Sequence, residues 1–199
     1  MPRSSSPTAD NCETSRTSGK KLGRSFFAQS AEDVARGLIG KIVVRRVRGR
    51  QLRARIVETE AYLGPDDLAS HSSKGRTART EVMFGPPGHA YVYLIYGIHD
   101  MLNVVTGVEG EAHAVLIRGA TPLDDWDANL SGPGLLARAL RITRAMNGHD
   151  LTGDRIFFSD DGADPPRIKA TKRIGIDYAG KWKHALLRFV DANCAAGRK

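Results

Sequence analysis

Residues 1–23 are rich in Ser and Thr and carry almost no large apolar side chain. Such a stretch cannot offset the entropy of ordering itself and is expected to be a disordered, basic N-terminal tail. Apolar positions begin in earnest at Phe26 and Phe27. Ser30, with Asp33 three residues on, predicts the N-cap of a short helix that presents Val34 and Leu38 inward and stops at Gly40. From Lys41 to Arg48 and again from Gln51 to Tyr62 the pattern shortens to the period of a strand, with Gly49 as the turn between the two. Regular alternation along the second strand would put Ile56, Glu58, Glu60 and Tyr62 on one face, and Val57, Thr59 and Ala61 on the other.

Gly64-Pro65-Asp66-Asp67 interrupts the strand and opens a polar loop containing His71, Lys74, Arg76 and Arg79. The loop is long for a connection, which marks it as a candidate binding loop. After Gly85-Pro86-Pro87-Gly88 the two-residue period returns. Tyr91, Tyr93 and Ile95 share one parity, and Val92, Leu94 and Tyr96 share the other. Tyr96 next to Gly97 falls where a hairpin turns, so it is lifted to an exposed tip, and a return strand over 101–106 brings Asn103 back towards the Tyr93 side of the sheet. Val115 to Ile117 reads as a buried strand ending at Arg118. Ser131-Gly132-Pro133-Gly134 starts a helix with Leu136, Leu140 and Met146 inward and Arg138, Arg141 and Arg144 at spacings of three, a solvated face or a phosphate stripe. Residues 156–159 and 186–190 read as further strands, and there is no internal repeat.

At 199 residues the chain suits one domain with a sizeable core. The net charge of +8 is not a property of the tail alone. Arg3, Arg16, Lys20, Lys21 and Arg24 against Asp10 and Glu13 leave +3 at the N-terminal end, so +5 belongs to the rest. A basic domain suits a polyanionic partner. The two cysteines, Cys12 and Cys194, lie near opposite ends without metal-ligand spacing, which argues against a disulfide framework or zinc site and for a reducing, cytoplasmic setting. No apolar run approaches the ~18 residues of a membrane span, and no secretory signal pattern opens the chain.

The residues from Arg55 to Asn103 bring together a carboxylate, aromatic rings and an exposed tyrosine. Removing a base from DNA needs those groups. The nucleotide must be extruded into an aromatic-lined pocket, a wedge must fill the vacated space, and a carboxylate must activate water for attack on the sugar carbon.

The stretches RIVETEAYLGPDDLASHS, MFGPPGHAYVYLIYGIHDMLN, AVLIRGATPL, SGPGLL and RIGIDYAGKW resemble the alkyladenine (3-methyladenine) DNA glycosylase family in sequence and in order, from about Phe26 to Val190. The resemblance implies a single-domain α+β fold: a curved, mostly antiparallel, open-barrel-like sheet with peripheral helices and a DNA-inserting β-hairpin. The glycosylase domain would be 24–192, with 193–199 a C-terminal tail. Carried over residue by residue, Glu60 would be the general base, with Arg118 and the backbone carbonyl of Ile174 holding the attacking water. Tyr62, His71 and Tyr93 would form the base pocket, Asn103 would crowd the edge bearing guanine's amino group, and Tyr96 would be the wedge. Arg76, Arg79, Arg138 and Arg141 are candidate contacts to the DNA backbone. The resemblance further implies a nucleoid-associated monomer acting on double-stranded DNA with damaged purines (3-methyladenine, 7-methylguanine, hypoxanthine, ethenoadenine), with no metal or organic cofactor and no membrane partner.

The chain departs from the family's pattern in several places. Leu135 stands where lysine is usual, Thr80 where asparagine is common, and Met101-Leu102 where a cysteine-containing pair is common; 124–130 is short and acidic where relatives have a longer basic segment. These bear on DNA affinity and lesion range rather than on the reaction. Two other classes remain open at this level. One is a non-catalytic DNA-damage-binding protein. The other is a glycoside hydrolase pairing Glu58 with Glu60, which the basic charge and the tyrosine tip argue against.

Overall fold

The computed structural model describes residues 19–124 and 126–194. Among the described residues nine strands form one sheet in the order β1-β7-β2-β3-β6-β5-β4, with β9 pairing β3 and β8 pairing β9. They are β1 (Lys20–Lys21), β2 (Ile42–Val47), β3 (Arg50–Tyr62), β4 (Ala90–Ile95), β5 (His99–Thr106), β6 (His113–Leu123), β7 (Ile156–Asp160), β8 (Ile168–Thr171) and β9 (Arg188–Asp191). The pairings are antiparallel throughout, the path does not close, and three short helices α1 (Arg24–Phe27), α2 (Ala31–Leu38) and α3 (Pro133–Ala139) pack against it. This is a single α+β domain around an open antiparallel sheet. Among the described residues no helix is long and apolar enough to cross a membrane.

Local chemistry sets the start of α2. The Ser30 hydroxyl oxygen accepts from the Asp33 amide at 3.1 Å and the hydroxyl donates to the Asp33 carboxylate at 2.7 Å, so α2 starts as the sequence predicts. Its buried face, Val34, Ala35 and Leu38, joins Ile56, Ala61, Val104, Ile117 and Phe158 in the main core. A fully buried leucine or isoleucine in such a cluster contributes about 1.5–3 kcal/mol. Gly134 is required by close approach: a Cβ there would lie 2.8 Å from the His99 ring, so only glycine lets α3 dock on β5.

Four expectations are corrected. First, Lys20 and Lys21 do not belong to a loose tail, because they pair with Asp160 and Ser159 at the edge of β7; residues 1–18, including Cys12, lie outside the described residues. Second, β3 and β6 slip register on both sides of Glu58: Ile56 faces Ala120, Glu58 faces Gly119 and Thr59 faces Ile117. Val57 is the extra residue on one strand and Arg118 on the other, so parity reverses between Ile56 and Glu58. Ile56 thus turns to the core with Ala61, on the face opposite Glu60. Third, Arg118 does not end its strand but bulges from the middle of β6, which continues to Leu123. Fourth, α3 stops at Ala139 and Arg141 has a positive φ of 52°, so Arg138, Arg141 and Arg144 form no helical stripe. The strand β8, paired with β9, had no clear signal in the sequence.

Candidate active site

The second half of β3 lies between β6 and β9, and the bulges there turn Arg118 toward Glu58 and Glu60. Glu60 is fully closed to solvent. Its Oε1 accepts the Ile174 backbone N–H at 2.9 Å; its Oε2 accepts the Tyr62 hydroxyl at 2.9 Å and lies 3.4 Å from Arg118 Nη1. Glu58, two residues earlier, accepts from Arg118 Nε at 3.0 Å and from Arg188 Nε at 2.7 Å.

The two carboxyls are driven apart. Burial pushes Glu60 above the usual carboxylate range, and Arg118, the Ile174 amide and the Tyr62 hydroxyl offset that only in part. Burial also acts upward on Glu58, but the Arg188 hydrogen bond and the charges of Arg118 and Arg188 outweigh it and hold Glu58 low. Glu58 is therefore the permanently ionised member and Glu60 the one with raised proton affinity, which is the property a general base needs.

In front of Glu60 lies a cleft lined by Tyr62, His71, Tyr93, Asn103, Arg118 and Ile174, among others. Tyr62, Arg118 and Ile174 each face both the cleft and Glu60, so the carboxylate sits one layer behind the wall. His71 places its ring edge-on to Tyr93, with centroids 4.5 Å apart, and its Nδ1 is 2.9 Å from the Tyr91 hydroxyl. Arg79 Nη2 lies 3.5 Å from His71 Nε2. Burial, with the nearby Arg79 charge, lowers the imidazole pKa to about 4 and keeps the ring neutral. Burial likewise pushes the Tyr62 and Tyr93 hydroxyls up, so both remain protonated donors. Asn103 faces Tyr91 across the hairpin and donates from Nδ2 to its carbonyl at 3.2 Å.

Tyr96 and Gly97 turn the β4–β5 hairpin with φ of 52° and 72°, closed by an Ile98 N–H to Ile95 carbonyl bond of 3.2 Å. A left-handed backbone is uncommon for a tyrosine, and the side chain is 84% exposed. The tip therefore carries an aromatic group held out by a strained turn, beside the equally outward Ile98.

The basic candidates divide. Arg76 is held in a two-pronged pair with Glu81 at 2.7 and 2.8 Å and lies over Phe84. Arg79 leans over the Tyr93 ring at 5.2 Å. Arg138 and Arg141 are exposed. Arg144, which the sequence pattern had grouped with them, reaches Asp100 at 3.2 Å.

Sequence reasoning missed three parts of the site. Arg188 carried no local signal. Tyr178, on the loop after Ile174, lines the cleft. Arg173 and Asp67 form a pair fully closed to solvent behind Tyr62, with Arg173 also donating to the Ala61 carbonyl and lying 4.8 Å from the Tyr62 ring centre. Only the neighbouring glycine-containing motifs around Gly64 and Gly175 hinted at this last pair.

Comparison with known proteins agrees with this geometry. Residues 25–195 match the family model described as methylpurine-DNA glycosylase. A protein of Anaeromyxobacter sp. (strain Fw109-5), named "Putative 3-methyladenine DNA glycosylase", is 52% identical over 172 residues, covering 85% of this chain and 88% of its own. Proteins of the same name from Legionella pneumophila (strain Lens) and Methanocella arvoryzae are 47% and 45% identical, covering 85% and 86% of this chain and 93% and 92% of their own.

Proposed function

The chain belongs to the methylpurine-DNA glycosylase family, and from that premise we propose that it extrudes alkylated or deaminated purines from duplex DNA and hydrolyses their N-glycosidic bond with a water activated by Glu60, leaving an abasic site. The observation that carries this reading is the contrast within the carboxylate pair: a buried Glu60 with raised proton affinity behind an aromatic cleft, next to a Glu58 neutralised by two arginines.

Each step has its residues. Tyr96 enters the duplex and occupies the gap left by the extruded nucleotide, offsetting an unstacking cost of a few kcal/mol. Tyr62 and Tyr93 offer ring faces to the purine, and their attraction for a cationic methylated base is about 0.5–2 kcal/mol. Asn103, at the inner wall, disfavours guanine by crowding its exocyclic amino group. A carboxylate has about four acceptor positions, and Glu60 uses three for Ile174, Tyr62 and Arg118. The remaining one accepts the water's proton as the oxygen attacks the sugar carbon. The Arg118 charge then stabilises the carboxylate when ionised and the Ile174 carbonyl orients the water. Hydrolysis with water as nucleophile makes the enzyme monofunctional, without a lyase step.

The test is base release from duplexes bearing hypoxanthine, ethenoadenine or 7-methylguanine. Wild type should release base, while Glu60→Gln binds the same duplexes and loses at least about 10²-fold in rate. A Glu60→Gln protein with wild-type rates assigns the wrong carboxylate. Lesion binding by a wild type that never releases base would instead favour the damage-binding reading.

A further inference from the structure

Glu58 is as buried as a catalytic group and yet has no place in the hydrolysis just described. Its surroundings give it one. Arg118 has two carboxylates within reach and divides itself unequally: Nε donates to Glu58 at 3.0 Å, whereas Nη1 stays 3.4 Å from Glu60. Arg188, from β9, holds the other side of Glu58 through the same oxygen at 2.7 Å. The bulge that makes Arg118 the extra residue of β6 is centred on Glu58, so backbone and side chain are set by the same residue.

We propose that Glu58 is a positioning residue for the hydrolysis: it anchors Arg118 through Nε, with Arg188 pulling from the opposite side, so that the guanidinium meets Glu60 only at one loose corner. Without that anchor Arg118 is free to swing onto Glu60 and form a close two-pronged pair, the preferred geometry of guanidinium and carboxylate. A Glu60 so paired is a weaker base and has fewer acceptor positions left for water. Removing Arg188 does the reverse, because Glu58 then holds Arg118 alone. The inference rests on Glu60 being the general base, but the network it describes exists whether or not that holds.

The groups facing Glu60 are Glu58 and Tyr62 on its own strand, Arg118 from β6, Arg188 opposite it on β9, Tyr93 from β4, and the Ile174 amide with Arg173 behind Tyr62. Of these, Glu58 is held low and Arg118 high by their mutual contact, and burial keeps the Tyr62 and Tyr93 hydroxyls protonated. Glu60 is the carboxyl of the set whose proton affinity burial raises. Replacing Glu58 or Arg188 acts on its titration in opposite directions.

The experiment uses the full chain labelled with carboxyl-13C glutamate, the Glu60 resonance being identified by its disappearance in Glu60→Gln. Relative to wild type, Glu58→Gln should lower the Glu60 midpoint by roughly one pH unit and Arg188→Gln should raise it by a similar amount. The rising limb of 7-methylguanine release should follow the same two directions. Midpoints that stay put, or move the same way in both variants, overturn the proposal. If Glu58→Gln fails to fold, the upward shift in Arg188→Gln still decides, since an unmoved midpoint there is sufficient to reject it. A wild type that releases no base from any lesion removes the proposed function while leaving the titration readable.

Discussion

Arg173 donates to Asp67 through both terminal nitrogens, 106 residues apart in sequence and with no solvent on either side chain. Asp67 also accepts the amides of Leu63 and Ala69, and Arg173 reaches the Ala61 carbonyl. One pair therefore ties the end of β3 to the loop that delivers the Ile174 amide to Glu60, with the Tyr62 ring resting against the guanidinium. Leaving either charge alone in this position is far costlier than removing both.

Asp67→Asn and Arg173→Met should each destabilise the protein by about 3–5 kcal/mol, read from urea unfolding. The double variant should lose less than the sum, because no unpaired charge remains. Additive losses would mean that the two side chains are not energetically coupled.

The exposed, left-handed Tyr96 carries a local backbone cost, which its proposed role as wedge would account for. Tyr96→Asn keeps a residue that tolerates this conformation, so its thermal midpoint should equal or exceed that of wild type while base release from a well-paired duplex falls. A lesion in a mismatch is already partly unstacked and should lose less activity. Equal losses on both duplexes would count against a wedge.

The arginines differ in their readiness to meet phosphate. Arg138 and Arg141 are exposed, whereas Arg76 is engaged by Glu81. Removing a phosphate contact lowers the slope of log affinity against log salt by about one. Arg138→Ala and Arg141→Ala should each do so for undamaged duplex, measured by anisotropy at about 50–200 mM salt, and Arg76→Ala should do so less. An affinity insensitive to salt would remove DNA as the partner.

What the sequence reveals here follows from the range of the interactions. The Ser30 cap, the Gly49 and Tyr96-Gly97 turns and the tyrosine parity of β4 are set by residues next to one another, and each was readable. The bulges opposite Glu58 are not, because an extra residue on each of two strands leaves both patterns locally regular; Ile56 was put on the wrong face and Arg118 at a strand end for that reason. The arginine spacing after Gly134 suggested a longer helix, but the left-handed turn at Arg141 breaks it. Glu58 and Arg188 are 130 residues apart and Asp67 and Arg173 are 106, so nothing local announces either pair. The family motifs supplied the candidate residues, and only the fold shows which partners surround them.

The last prediction concerns how one pocket treats two leaving groups. A purine methylated on a ring nitrogen is already cationic and departs without a further proton, so its release needs only an ionised Glu60. Burial raises the folded Glu60 pKa; the rate for 7-methylguanine should therefore rise with pH through a midpoint above the usual carboxylate range, then level. Hypoxanthine is neutral and must be protonated to leave. His71, with a pKa lowered to about 4 by burial and by Arg79, has lost its proton before Glu60 becomes active and cannot supply it. Burial pushes the Tyr62, Tyr91 and Tyr93 hydroxyls up, and these do not titrate in this range. The proton lost as pH rises thus belongs to the purine itself, taken up from water. Release of hypoxanthine should be bell-shaped: rising as Glu60 ionises, then falling as the protonated base becomes scarce. Single-turnover rates on both lesions across about pH 5–9 check this, together with a His71→Gln variant that should keep the descending limb of hypoxanthine. Two profiles of the same shape would show that leaving-group protonation is not what separates the substrates, and a descending limb that disappears with His71 would show that the pocket supplies the proton.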